Sequence, residues 1–252
     1  KSFDYAILEK MKNLERFMVR SANQSFQIRI ACMPVLSEIF LPKIIADFAT
    51  EHKDAHFYLR AQPSARVHES IASQQFDIGF AENPDKSELY LTKDFSLPTM
   101  IALPDGHPLT CHRVLTPKNL HDVPFSTFLP EHELTIQLRA AFERVDAKLN
   151  IPFFLQNAAA QYSIVENGHA VGFMSLLSVW LYQENWERRS TKKIIFRPFS
   201  PRIYQNISLI TPRHRPLPQI SQLFAAKLEK SLHKILSTMK SKFQLDELEE
   251  LS

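Results

Sequence analysis

The feature that most constrains the fold is a repeated change of hydrophobic period between residues 27 and 81. Residues 27–32 alternate polar and β-branched apolar side chains as a strand does, and residues 36–51 carry apolar side chains at helical spacing. The change recurs at residues 56–60 (strand), 64–74 (helix) and 77–81 (strand). Successive strand–helix–strand units build a parallel sheet with helices on its faces. The sequence therefore predicts an α/β fold in which ligands lie beyond the carboxyl ends of the strands.

A second set of elements follows a dense turn signal. An extended stretch at residues 97–103 ends at Pro104-Asp105-Gly106-His107-Pro108. After it we expect helices at 135–149, 159–167 and 217–236, and strands at 153–155, 170–174 and 203–210. The alternation in both halves predicts two α/β lobes.

Composition restricts the class of protein. A chain of 252 residues with 44% hydrophobic content can bury a core of one large domain or of two lobes. Cys32 and Cys111 are interpreted as free thiols, as in a reducing compartment. No apolar run is long enough to span a bilayer, and no signal peptide is recognisable, which predicts a cytoplasmic protein without a membrane partner. The net charge of +3 is too small to require nucleic acid as a partner of this stretch of chain.

The sequence contains few of the residue patterns that enzyme catalysis requires. The presence of only four glycines excludes most phosphate-binding loops, and the sequence has no H-E-x-x-H, C-x-x-C or G-x-S-x-G motif. The neighbouring Cys111 and His112 are interpreted as an exposed loop pair rather than a nucleophile and its base. His52 and His56 are interpreted as surface residues rather than zinc ligands, because the helix is expected to end between them. We expect no enzyme activity, no cofactor and no metal.

The N-terminal residues have a pattern of their own. Apolar residues at Ile7, Met11, Leu14 and Met18 follow a 4-3-4 spacing, which is typical of a coiled-coil seam. An amphipathic helix packed on its own domain explains the pattern as well, since two heptads are few. The polar residues 21–25 end the helix. At the other end of the chain, residues 243–252 carry four acids and no base, which predicts a frayed or disordered acidic tail.

Four patches in order resemble the effector-binding domain of LysR-type transcriptional regulators. They are Ile28-Arg29-Ile30-Ala31 leading to Leu41-Pro42, Phe76-Asp77-Ile78-Gly79-Phe80, Ile101-Ala102-Leu103-Pro104 leading to His107-Pro108-Leu109, and Val165 to Gly172. Pro42 lies inside a helical pattern that it should kink or break, and Gly168 and Gly172 suit a turn between a helix and a strand. Residues 98–104, the pair Pro63-Ser64 and residues 196–200 are most similar to the octopine- and nopaline-responsive branch.

The resemblance implies a complete architecture. Two Rossmann-like lobes would be joined by two crossover strands, as in periplasmic binding proteins, and preceded by a linker helix. The implied domains are a dimerising linker helix at 1–25, lobe I at 26–97 and 205–236, lobe II at 98–204, and an acidic tail at 237–252. A winged helix-turn-helix that binds promoter DNA would precede the linker helix, so we expect this sequence to be a truncated piece of a longer protein. Dimers or tetramers of the chain are also implied.

The resemblance also places a ligand site between the lobes. The expected ligand-binding residues lie after the strands and in the first turns of the helices, where free N–H groups favour a carboxylate. In lobe I they are Pro34, Val35, Leu36, Ser37, Pro63, Ser64, Glu82 and Asp85, and in lobe II Phe125, Thr127, Asn157, Phe173 and Ser175. Ser64 is also expected to cap its helix, and capping alone would explain it.

Glu82 is the residue that we expect to receive an ammonium or guanidinium group. A partly desolvated carboxylate is costly without a cationic partner, although a solvated loop acid is the alternative. The sequence thus predicts a sensor of a small cationic effector, either an amino-acid derivative such as arginine or an opine, or a polyamine. The alternative function is a solute-binding protein of an amino-acid or polyamine transporter, which shares the two-lobed cleft.

Overall fold

A computed structural model of the chain describes residues 27–82, 87–188 and 192–246. The predicted linker helix, the boundary at 21–25, Asp85 and the end of the acidic tail lie outside these residues. The first part folds into β1 (Gln27–Cys32), α1 (Pro34–Glu38), α2 (Phe40–Glu51), β2 (His56–Ala61), α3 (Ser64–Ala72) and β3 (Ile78–Glu82). This order confirms the alternation of strands and helices read from the sequence.

The second part begins with a long strand and ends with a long helix. The elements are β4 (Tyr90–Pro104), β5 (Pro124–Thr127), α4 (Glu133–Glu143), β6 (Asn150–Phe154), α5 (Ala158–Glu166), β7 (Val171–Ser175), α6 (Leu176–Leu181), β8 (Ile194–Pro198), β9 (Tyr204–Pro212) and α7 (Gln219–Lys242). None of the helices within the described ranges is long and apolar enough to cross a membrane.

The described strands form a nine-stranded sheet that two lobes share. Its order is β2-β1-β3-β9-β4-β7-β5-β6, with β8 also paired to β4. In lobe I, β1 is parallel to β2 and β3, and in lobe II, β5 is parallel to β6 and β7. The two parallel sets meet at β4 and β9, which confirms the two-lobed α/β fold with crossover strands. The exact domain boundaries stay a prediction.

The crossover strands run antiparallel over nine residue pairs, from Tyr90 opposite Pro212 to Pro98 opposite Tyr204. The second half of β4 then leaves β9 and pairs with β7 and β8 in lobe II. Thr99 lies where β4 changes its partner strand, and its backbone N–H and its hydroxyl both donate to the carbonyl of Ile203 at 3.0 Å. One strand thus belongs to both lobes.

Packing joins the lobes as well. The ring of Phe40 on α2 meets Phe80 of β3 and Trp180 of α6 edge-on, with centroids 6.1 and 6.2 Å apart. One turn along α2, Lys43 Nζ lies 2.7 Å from Glu184 Oε2 in lobe II. Because these contacts continue the buried core of lobe I into lobe II, the two lobes meet over a packed face beside the crossover.

The helix predicted at 36–51 is interrupted, but not at its proline. The break falls at Ile39, whose backbone (φ −139°, ψ −46°) ends α1 and begins α2. Pro42 therefore lies in the first turn of α2, where a missing N–H leaves no helical hydrogen bond unmade. The proline limits where the helix can start instead of kinking it.

Other boundaries moved for identifiable reasons. The crossover strand β4 begins at Tyr90 rather than at residue 97. The sequence pattern misses its first half because the residues from Leu91 to Asp94 are all exposed and give no apolar alternation. The helix α7 continues to Lys242, past its predicted end at Leu236, since Met239 continues the buried stripe. The assignment of Gly172 to a turn is wrong. Gly168 makes that turn with φ +75°, and Gly172 lies inside β7.

Gly172 and Gly79 are required by close packing. A Cβ on Gly79 of β3 would lie 2.8 Å from Ile71 Cγ1 of α3, and one on Gly172 would lie 3.1 Å from Val165 Cγ2 of α5. Each glycine therefore lets the helix before its strand pack directly on the sheet. This close approach places the first turns of α3 and α5 beside the strand ends.

A buried carboxylate fixes the edge of lobe I opposite the strand ends. Asp77 accepts the backbone N–H of Arg29 at 2.8 Å and the Arg29 guanidinium at 3.2 Å, and it also pairs with Arg215. The Asp77 side chain is only 3% exposed. Because β1, β3 and the segment before α7 all meet here, Asp77 explains one of the patches that carried the family resemblance.

We predict that Asp77→Ala lowers the free energy of unfolding by about 2–4 kcal/mol. This is somewhat below the figure of about 3–5 kcal/mol for breaking a fully buried pair, because both guanidinium groups are about a quarter exposed. Urea denaturation would measure it. Glu69→Ala, which removes the exposed pair with Arg66, is the control and should change stability by less than about 0.5 kcal/mol. Equal small effects would show that Asp77 has no special structural role.

Candidate functional site

A cavity of about 320 Å³ opens between the lobes. It lies within the range of about 300–1,000 Å³ that is common for small-molecule sites. Its wall in lobe I comes from the ends of β1, β2 and β3, and its wall in lobe II from the segments after β5 and β6 and from α6. The lining residues are Met33, Pro34, Val35, Pro63, Ser64, Glu82, Phe128, Leu129, Glu131, His132, Leu155, Gln156, Asn157, Ala158, Ser178 and Gln205. The cleft thus lies beyond the carboxyl ends of both parallel sets, where α/β folds bind ligands.

Several residues expected at the site do line the cleft. They are Pro34, Val35, Pro63, Ser64, Glu82 and Asn157. They come from four different strand ends, and the fold brings them to one cavity. Their role in binding stays a prediction.

The other expected residues lie elsewhere. Leu36, Phe125 and Phe173 are fully buried in the apolar cores. Ser37 donates its hydroxyl to the carbonyl of Pro34 at 2.7 Å, Thr127 bonds with Thr135 at 3.2 Å, and Ser175 contacts Ser178 at 3.4 Å. Asp85 lies outside the described residues. In lobe II the aromatic side chain that reaches the cleft is Phe128, after the strand, because Phe125 points into the core.

Glu82 connects both lobes at the centre of the site. Its Oε1 lies 3.5 Å from Nε2 of His132 in lobe II, and the same oxygen accepts a hydrogen bond from the amide of Gln205 on β9. Its backbone N–H donates to the hydroxyl oxygen of Ser64 at 3.1 Å. About a quarter of the Glu82 side chain remains exposed. Glu82 therefore contacts lobe I through its backbone, and lobe II and a crossover strand through its carboxylate.

The capping role expected of Ser64 is wrong. The N-cap of α3 is Pro63, and no side chain caps the helix. Ser64 is the first helical residue, and its hydroxyl oxygen accepts the backbone N–H of Glu82 at the end of β3 instead. Its hydroxyl proton remains available to a second acceptor in the cleft.

His132 is held in a defined orientation. It is the N-cap of α4, and its Nδ1 accepts the N–H of Leu134 at 3.2 Å. Since Nδ1 is an acceptor, a neutral His132 carries its proton on Nε2, which faces Glu82. The imidazole also stacks on Phe128, with centroids 4.4 Å apart and planes 20° apart. The helix cap and the stacked ring together aim a donor at the carboxylate.

The surroundings of Glu82 keep it ionised. Burial alone would raise its pKa, but the hydrogen bond and charge of His132, with the hydrogen bond from Gln205, hold the pKa below the ordinary value of 4.5. The carboxylate is therefore negative at neutral pH.

The cleft as a whole is acidic. Among the described residues that line it, two carry carboxylates, Glu82 and the exposed Glu131, and there is no lysine or arginine. Within the same described stretches, no group of three or more His, Cys, Asp and Glu is placed to hold a metal ion. The lining offers a cation an ionised partner.

Two helix N-termini face the same cavity. In α3 the first backbone donors to an earlier carbonyl are Arg66 and Val67, and in α5 Asn157 accepts only the N–H of Ala160 at 2.9 Å. The N–H groups of the first two residues of each helix have no helical partner by geometry. Such groups favour a carboxylate. The cleft can therefore accept a molecule that carries both a cation and an anion.

Sequence reasoning missed His132, Gln205 and Ser178. The predicted helix begins at residue 135, which leaves His132 outside it, and histidine is not among the residues that usually cap a helix. Gln205 is one of the few buried polar residues of β9, and the sequence alone gives no sign that Glu82 lies opposite.

Comparison with known proteins agrees with this architecture. The family of the LysR substrate binding domain matches residues 21–232. The transcriptional activator protein LysR of Escherichia coli (strain K12) is 26% identical over 216 residues, which cover 84% of this chain and 67% of that protein. The octopine catabolism/uptake operon regulatory protein OccR of Rhizobium meliloti is 40% identical over 91 residues, 36% of this chain and 30% of that protein.

Solved structures show the same fold. A putative LysR family transcriptional regulator of Pseudomonas aeruginosa superposes with a TM-score of 0.68 at 15% identity, over 90% of this chain and 81% of that one. The effector binding domain of QuiR in complex with shikimate gives a TM-score of 0.62 at 13% identity, over 85% and 97% of the two chains. With the family match over most of its length, the chain belongs to the LysR substrate-binding-domain family.

Proposed function

We propose that this chain senses a small cationic effector, derived from an amino acid or a polyamine, for a LysR-type transcriptional regulator. The observation that carries the proposal is the ionised Glu82 in an interlobe cleft that has no lysine or arginine among the described residues of its lining. A ligand with an ammonium or guanidinium group would neutralise this carboxylate.

The contact that Glu82 already makes leaves room for such a ligand. The distance of 3.5 Å between His132 Nε2 and Glu82 Oε1 is longer than the 2.7–2.9 Å, roughly, of a good charge-assisted hydrogen bond. A ligand cation could approach the carboxylate more closely than the imidazole does. Guanidinium suits the site best, because its planar donors can bond both carboxylate oxygens.

The relatives support this class of ligand. The name of OccR refers to an octopine operon, and octopine is an arginine derivative with a guanidinium group. QuiR holds shikimate in a domain of the same fold, and because shikimate has no cation, it supports only the binding of a small molecule in such a domain. A two-lobed cleft alone would fit the solute-binding protein of a transporter equally well, but the family match favours a transcriptional regulator.

The regulatory mechanism follows from the position of Glu82. A ligand cation that takes Glu82 would weaken its contact with His132 and so change the preference of the two lobes for one arrangement. A ligand shifts an equilibrium only by its difference in affinity for the two arrangements. Lobe movement would then reach promoter-binding domains of the full protein through the linker helix and through contacts between protomers in a dimer or tetramer.

Isothermal titration with arginine, ornithine, octopine and putrescine tests the ligand class. At least one of these is expected to bind the chain with measurable heat, since each carries a cation for Glu82. Succinate, which has no cation, is the matched control and should bind far more weakly. Absence of heat with every cationic compound would contradict the proposal.

Glu82→Gln tests whether Glu82 is the residue that accepts the ligand cation. The substitution keeps the shape and removes the charge, so affinity for the best cationic ligand is expected to fall about tenfold to a hundredfold, or about 1.5–3 kcal/mol. Glu131→Gln makes the same chemical change at an exposed position of the same cleft and should cost less than about threefold. If the two variants bind equally well, Glu82 is not the cation acceptor.

A further inference from the structure

A second cavity, of about 350 Å³, lies between lobe II and the end of α7. Residues 110–113 and β8 form its wall in lobe II, and residues 242–244 form the opposite wall. It shares no lining residue with the interlobe cleft. The cavity is therefore a separate candidate site.

The charge of this cavity is opposite to that of the interlobe cleft. Among the described residues that line it, three are arginine or lysine, namely Arg113, Arg197 and Lys242, and none is aspartate or glutamate. Positive charges gathered in one pocket repel one another and attract anions. The lining therefore favours an anion, whereas the interlobe cleft favours a cation.

Arg197 is held in place by neutral acceptors. Its Nε donates to the carbonyl of His112 at 2.9 Å, and its Nη2 donates to the carbonyl of Thr110 at 2.8 Å. Its Nη1 donates to the carbonyl of Phe196 at 3.0 Å. Because a guanidinium has five N–H groups, two remain for a further acceptor. The same bonds hold residues 110–112 against β8.

The other two cations come from opposite walls of the cavity. Lys242 Nζ lies 2.9 Å from Gln183 Oε1, and Arg113 Nη2 donates to Gln244 Oε1 at 2.7 Å. An ammonium group has three donors, so Lys242 retains two for an anion. Both Arg113 and Lys242 are exposed, and an anion can reach them from solvent.

The end of α7 does not oppose an anion. The last carbonyls of a helix carry partial negative charge when they lack partners. Here the carbonyls of residues 239–241 accept the backbone N–H groups of residues 243–245 at 2.9–3.1 Å. Lys240 and Lys242 also lie in the last turn. The helix end therefore presents satisfied carbonyls and positive side chains.

We propose that this pocket is a second ligand site, which takes a small oxyanion with two or more negative charges, a phosphate or a polycarboxylate. Such an anion contacts lobe II through Arg113 and Arg197, and α7 through Lys242. It thereby joins the two walls and stabilises the folded chain. The site goes beyond the proposed function, because it shares no residue with the cleft around Glu82.

Two sources can supply the oxyanion. One is a free molecule, and the other is the acidic end of the chain itself, where Glu247, Glu249 and Glu250 follow Gln244 within six residues. Three residues of extended chain span about 10 Å, so these acids are within reach of the pocket. Both sources offer oxygen anions to the same donors.

The test of the site is calorimetric titration of the full chain with pyrophosphate at constant ionic strength. The wild type is expected to bind pyrophosphate at least about tenfold more tightly than acetate, which has a single charge. Lys242→Gln is expected to weaken pyrophosphate binding by about threefold to tenfold, because an exposed cation loses a charge-assisted hydrogen bond.

Lys230→Gln is the matched control. Lys230 is also an exposed lysine of α7, but it lies twelve residues before Lys242, about 18 Å along the helix, and does not line the pocket. The same loss of charge there should weaken pyrophosphate binding by less than about 1.5-fold. Equal losses in the two variants would show that only the net charge matters and would overturn the proposal.

Thermal unfolding gives a second readout. A ligand that binds only the folded chain stabilises it, so pyrophosphate at ten times its Kd should raise the melting temperature of the wild type by about 3–5 °C. At the same concentration the rise should be smaller in Lys242→Gln and unchanged in Lys230→Gln. An equal rise in all three proteins would contradict the assignment to this pocket.

A full-length variant with Glu247→Gln, Glu249→Gln and Glu250→Gln distinguishes the two sources. If a free molecule is the ligand, this variant binds pyrophosphate within about twofold of the wild type. If the end of the chain occupies the pocket, the variant binds at least about fivefold more tightly, and adding Lys242→Gln, but not Lys230→Gln, removes the gain. Either result supports the oxyanion site. Absence of pyrophosphate binding in both the wild type and this variant would overturn it.

Discussion

The nine antiparallel residue pairs between β4 and β9 are the constraint on which the rest of the structure depends. Each lobe builds its own parallel set of strands, and among the strands of the described ranges only these two carry the sheet from one lobe to the other. Because β4 pairs with β9 first and with β7 and β8 afterwards, the carboxyl ends of both parallel sets face a common cavity. Thr99, bonded twice to the carbonyl of Ile203, holds the point of exchange.

Glu82 is the side chain through which this geometry enters the proposed function. The Glu82 carboxylate, at the end of β3 in lobe I, contacts a donor from lobe II, His132, and a donor from the crossover strand β9, Gln205. A change in the contacts of this carboxylate therefore involves both lobes. The long contact with His132 makes the link between the lobes one that a better cation can replace. In the proposed function, ligand binding and lobe arrangement would be coupled through this single side chain.

The fold could be read from the sequence because its signals are local. The changes of hydrophobic period gave the order of the elements, whereas the exposed side chains of the first half of β4 hid that half, and Pro42 proved to lie in a first turn. The site was only partly predictable. Glu82 ends a strand and Asn157 follows one, so both could be placed, but His132 and Gln205 act through Glu82, which is far away in the chain. Phe125 and Phe128 are three residues apart, and only packing decides which of them reaches the cleft.

The central claim is that the interlobe cleft binds a cationic effector through Glu82. A crystal structure of the chain grown with octopine tests it most directly. The account predicts a guanidinium nitrogen within about 3 Å of a Glu82 carboxylate oxygen, with His132 no longer in contact with that oxygen. Octopine bound with its guanidinium directed away from Glu82, while the contact between Glu82 and His132 is retained, would contradict the account.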